Sequence, residues 1–281
     1  MLPIDDSVLS ALNPDVRARL QELVGSWTIS TPALFYRPVD CVIDPSASYL
    51  GGSPGSDNLD WPKDKTGKPM VFVGQVNFEN ANSCNQSRTP KSGVLMLFVS
   101  GEYKNFRAKD QSWFKLVYSA NPDNAKTSAD PGVPKLSPVA ELVPQSVDCL
   151  RSFDASVLMK KLPELDSIPE RDKVLTWFSS KSKRAKELLN DAHQICCSED
   201  EQSREACVIA AFYANGISFD QARKADVHYK HLVDYASEWE VLWRLGGLWR
   251  LLPDETRQLF ICISRENLAE FEFSKSIAVF L

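Results

Sequence analysis

The chain has 281 residues, with 37 Asp+Glu against 32 Lys+Arg for a formal charge of −5, and is 43% hydrophobic and 25% charged. These values exclude long disorder, collagen-like repeats and a supercharged tail, and they allow a sizeable core. A pI near 5.4 argues against nucleic acid as the main partner, because phosphate binding needs a concentrated basic surface.

An early helix is well signalled. Asn13 can cap, Pro14 sits at the first helical position, and Val16, Leu20, Leu23 and Val24 form one apolar stripe, with Gly25 as the expected stop. From Ser26 to Asn58 short apolar runs are broken by Pro32, Pro38 and Pro45; Val39 to Ile43 reads as a strand, and Gly51-Gly52-Ser53-Pro54-Gly55-Ser56 as a turn or open loop. Met70 to Phe78, Gly93 to Val99 and Ser112 to Tyr118 predict strands whose near-continuous apolar runs imply cover on both faces. Residues 119–138, with Pro122, Pro131, Pro134 and Pro138, predict a long surface connection.

Beyond residue 150 the period becomes helical. Helices are expected over Asp154 to Leu162 and Glu170 to Cys197. Capping boxes at Ser198-Glu199-Asp200-Glu201 and Ser218-Phe219-Asp220-Gln221 open two more, the first closed by Asn215-Gly216 and the second running to about Leu245. Gln258 to Ile263 then predicts a strand, Arg265 to Phe271 a short helix capped by Ser264, and Ser276 to Leu281 a final strand. The expectation is a single α+β domain over residues 1–281, with a mixed or antiparallel β-sheet core and a large helical insertion in the second half. In it, residues 1–149 are mostly β after the N-terminal helix, 150–247 form the helical block, and the strands of 248–281 return to the first sheet.

Seven cysteines at odd spacing in a long chain do not make a disulfide framework, and a reducing cytoplasm is expected. Cys196 and Cys197 near His193 lack a second ligand knuckle, so a buried-cysteine reading is preferred and no metal or cofactor is expected. His228, His231 and Asp234 lie three apart on an expected helix, without the four-residue His spacing and intervening Glu of the metalloprotease helix, and read as a solvated face. The N-terminus has no basic n-region or apolar h-region, and no run approaches the roughly 18 apolar residues of a membrane span. The richest stretch, Val241 to Leu252, is interrupted by Arg244 and Arg250.

The segment Gly51-Gly52-Ser53-Pro54, Trp61-Pro62, Gly67-Lys68-Pro69 leading into Phe72-Val73-Gly74-Gln75-Val76-Asn77, then Gly93-Val94-Leu95 ending in Phe98, resembles the bacterial YwqG-like family, a domain of unknown function. The tail, Leu259-Phe260-Ile261 followed by Glu266-Asn267-Leu268 and Phe273-Ser274, is similar to that family's closing strand and helix. The resemblance implies an α+β fold with paired sheet units, and a role as an immunity protein beside a polymorphic toxin.

Candidate sites follow. Gln75 and Asn77 lie two apart on a strand and face one side; they either bond loop backbone, with Trp61 pinning the Gly51-Gly52 turn, or form with Trp61 the pocket of a small-ligand-binding or enzymatic domain. Nucleophile-elbow and phosphate-loop motifs are missing, so no catalytic residue is assigned. Residues 1–140 hold 14 acidic and 14 basic side chains, so 141–281, with 23 and 18, carry the entire excess. The expected function is a non-enzymatic cytoplasmic binding protein that occludes a basic cognate toxin, with a nuclease effector as one such toxin. Its expected contacts are Asp57, Asp60, Trp61 and Asp64, and Glu199, Asp200, Glu201 and Glu205.

Overall fold

The computed structural model describes residue 4 and residues 6–10, 12–39, 44–55, 59–81, 89–103, 110–120, 131–150, 155–197, 201–218, 236–246 and 257–281. In chain order the elements are α1 (Asp6–Leu9), α2 (Pro14–Trp27), β1 (Thr28–Pro38), β2 (Tyr49–Leu50), β3 (Val71–Asn77), α3 (Phe78–Ala81), β4 (Val94–Val99), β5 (Phe114–Ser119), β6 (Ala140–Leu150), α4 (Ala155–Lys161), α5 (Arg171–Asp191), β7 (Gln194–Cys197), α6 (Glu201–Ala214), β8 (Trp239–Leu245), β9 (Leu259–Ser264), α7 (Arg265–Ala269) and β10 (Ile277–Phe280). The fold class is α+β. Residues 1–33 and 145–191 form one compact unit; 34–144 and 192–281 form a second.

The first unit is helical. Val16, Leu20 and Val24 of α2 bury with Leu158, Leu162 and Leu165, and with Val174, Trp177 and Phe178 of α5. Asn13 Oδ1 accepts from the Val16 amide at 2.9 Å, the cap the sequence predicts. Gly25 is not the stop. The helix runs on to Trp27, where Thr28 takes over: its hydroxyl donates to the Val24 carbonyl at 2.7 Å. Arg19 pairs with Glu164 and donates to the Lys161 carbonyl at 2.9 Å.

The second unit contains a four-stranded sheet ordered β10-β9-β8-β7 and most of a six-stranded one ordered β1-β6-β2-β3-β4-β5. The apolar runs are explained by cover on both faces. In β4, Leu95, Leu97 and Val99 face the shared core while Val94, Met96 and Phe98 face the other way, toward Trp61 and Leu59. In β9, Leu259, Ile261 and Ile263 face that same core, while Phe260 and Cys262 pack under Ala206, Ile209 and Ala210 of α6. The two sheets thus enclose one core, and each has its outer face covered.

Their edges are stitched together. At one seam Leu34 of β1 and His193, just before β7, exchange both backbone hydrogen bonds, at 2.7 and 2.9 Å. At the other, Gln111, in a single 3-10 turn leading into β5, holds Ala278 of β10 through both backbone groups. Each seam satisfies one point of an edge ladder, the kind of edge through which sheets associate.

Several expectations are corrected. The final strands do not rejoin the first sheet; β9 and β10 build the second one with β7 and β8. The residues from Gln194 to Cys197 and from Trp239 to Leu245, expected to be helical, are strands. β6 lies between the connection expected at 119–138 and the helix expected from Asp154, in a stretch for which the sequence predicts no element of its own. Pro144 hides it, since proline cannot donate to a ladder. Leu142 donates to the Ser48 carbonyl at 2.9 Å, so Pro144, two residues on, faces that same side beyond the last β2 pair, Tyr49↔Glu141. Pro32 is likewise inside β1, an outermost strand, where a missing donor is tolerated. Val39 follows β1, and the rest of the strand expected at 39–43 lies outside the described residues.

Candidate functional site

The residues that carried the resemblance lie in the second unit, the first segment in β3, β4 and the loops around them and the tail in β9, α7 and the turn after it. Gly51 and Gly52 both take φ +72°, which an L side chain rarely adopts, so the turn is built on glycine. A Cβ on Gly51 would also lie 2.7 Å from the Leu136 carbonyl.

Gln75 is fully buried. Its Nε2 donates to the Pro45 carbonyl at 2.7 Å and the Ala47 carbonyl at 2.8 Å, and its Oε1 accepts from the Gly55 amide at 3.0 Å. Both amide hydrogens are therefore committed to the loop. Asn77 donates to the Ser46 carbonyl at 2.7 Å, accepts from the Glu79 amide at 2.8 Å, and its own amide donates to Ser48 Oγ at 2.9 Å. Two amides on one strand face thus bind residues 45–48 and 55 as a surrogate ladder. Such groups cost free energy if buried without partners, which is why the loop is held in place here.

Trp61 is half-buried. Its indole N–H donates to the Met70 carbonyl at 2.8 Å and its ring meets Phe98 edge-on at 5.5 Å. It covers the outer face of β3 and β4 instead of pinning the glycine turn. Asp64 is buried as well: Oδ1 accepts from the Thr66 amide (2.8 Å), the Thr66 hydroxyl (2.6 Å) and the Lys68 amide (3.2 Å), and Oδ2 from Ser100 Oγ (2.9 Å). The Thr66 hydroxyl bond leads these in holding its carboxyl down at about 2, well below the usual range. Asp64 closes the Asp64–Gly67 turn and ties it to the end of β4; it does not present a carboxylate to a partner. Around it Lys65 pairs with Asp110, and Lys68 with Glu102.

Of the other expected contacts, Asp60 and Glu205 are exposed. Asp57, Glu199 and Asp200 lie outside the described residues, as do the side chain of Glu201 and the residues His228, His231 and Asp234. His193 is buried at the β1 seam, and Cys196 follows on a strand, so these two do not share a helix face as their spacing suggested. Among the described residues no group of three or more His, Cys, Asp or Glu could hold a metal ion.

A family model described as a domain of unknown function (DUF1963) matches residues 48–280. The chain belongs to the DUF1963 family. The match begins at Ser48, which anchors Asn77, and ends at Phe280 in β10, so it takes in the four-stranded sheet, β2 to β6 of the six-stranded one, and Gln111 and Ala278 of one seam, while β1 with Leu34 of the other seam precedes it. No curated protein matches this DUF1963 chain.

Two features of the DUF1963 fold escape sequence reading. Arg244, which looked like a mere interruption of an apolar run, is a buried guanidinium. It donates to Gln194 (3.2 Å), Gln202 (2.8 Å) and Gln258 (2.8 Å) and lies over the Phe260 ring at 5.3 Å. Glu240, four residues earlier on β8, is also buried and is met by Arg265 at 2.9 Å. No local pattern flags them: β8 is buried along its whole length and its register shifts between Val241 and Trp243, whereas simple alternation would have set both charges in solvent.

Proposed function

We propose that this DUF1963 protein is a non-enzymatic binding protein of the bacterial cytoplasm, an immunity protein that neutralises a cognate toxin by direct occlusion. The observation that carries the reading is the internal commitment of Gln75, Asn77, Trp61 and Asp64: the polar residues of the motif serve the frame, which leaves recognition to the outer surface. The ligand-pocket alternative gains nothing from this geometry, since Gln75 has no amide hydrogen left to offer.

Charge supports the same reading and narrows it. Residues 192–281 hold 14 acidic and 9 basic side chains, a difference equal to the whole chain's −5. Residues 171–191, by contrast, hold six basic and three acidic ones. The excess therefore lies in the sequence after residue 191 and not across 150–247 as a whole. An acidic face suits a basic toxin such as a nuclease, because complementary fields raise the association rate and disfavour wrong partners. The similarity to the YwqG-like family points the same way by context.

The test is co-expression with the toxin reading frame adjacent to this gene. A co-purifying complex and suppressed toxicity are expected. Unchanged toxicity with no complex would remove the immunity role.

A further inference from the structure

We draw no further inference here: the strongest candidate, the basic segment 181–186 of α5 beside the buried Trp177 ring, over which the Lys181 ammonium lies at 5.8 Å, is a surface charge cluster, and nothing in the structure shows what covers it.

Discussion

The side-chain amide of Gln111 completes both backbone groups of Ala278: Oε1 accepts from the Ala278 amide at 2.7 Å and Nε2 donates to its carbonyl at 3.3 Å. One glutamine therefore does at the edge of β10 what a further strand would do. Gln111→Ala should lower stability by about 1–2 kcal/mol, the scale of two lost hydrogen bonds to a partly buried edge. It should also expose that edge to a second molecule. Urea unfolding and light scattering across a concentration series check both. Gln111→Glu keeps an acceptor for the amide but sets a carboxylate against the Ala278 carbonyl, and should behave no better than alanine.

Gln75→Ala should be more costly. It strips partners from the Gly55 amide and from the Pro45 and Ala47 carbonyls at once. A loss of about 2–4 kcal/mol is expected from orphaned groups in a buried setting. Faster hydrogen exchange at the Gly55 amide should accompany it. A loss below about 0.5 kcal/mol, the range of an ordinary surface substitution, would show that the loop is held by other means.

Gly55 makes the same point from the other side of the contact. A Cβ there would fall 2.0 Å from the Pro45 carbonyl oxygen, so Gly55→Ala must push the backbone away from the Gln75 amide. If both substitutions break one lock, the double variant should be less destabilised than the two singles added together, by about 1 kcal/mol or more. Additive losses in a denaturation cycle would contradict a shared lock.

Asp64 predicts a pH dependence. Its folded carboxyl titrates at about 2 against an ordinary 3.8. A depressed carboxylate contributes stability that is fully present above the ordinary value and lost as pH falls through the folded one. The stability difference between wild type and Asp64→Asn should therefore be flat from about pH 5 to 7 and shrink between about pH 4 and 2. Asparagine retains an acceptor for Thr66 and Lys68, so the fold should survive for the comparison. A difference that does not change over that acid range would remove the carboxylate from the account.

What could be read in the chain, and what could not, divides by distance. Helix starts were legible at Asn13 and Ser264 because a cap bonds an amide three residues away. The end of α2 was not, because Gly25 is compatible with a helix and the decisive Thr28 hydroxyl reaches back into it. The role of Gln75 and Asn77 as loop anchors was one of two open readings, since alternation placed them on one face but could not say what lay opposite.

By itself the sequence determined the α+β class, the turn at Gly51-Gly52, the strands around Phe72 and Leu97, and an acidic second half. These follow from interactions within a few residues and from composition. Only the tertiary structure decided that Gln194–Cys197 and Trp239–Leu245 are strands of a second sheet, that Asp64 is internal, and that Gln111 meets Ala278 across 167 residues of chain. A short apolar run suits a buried helix and a sheet covered on both faces equally well. What separates them is whether an unpaired edge stands beside it, and that edge comes from a distant part of the chain.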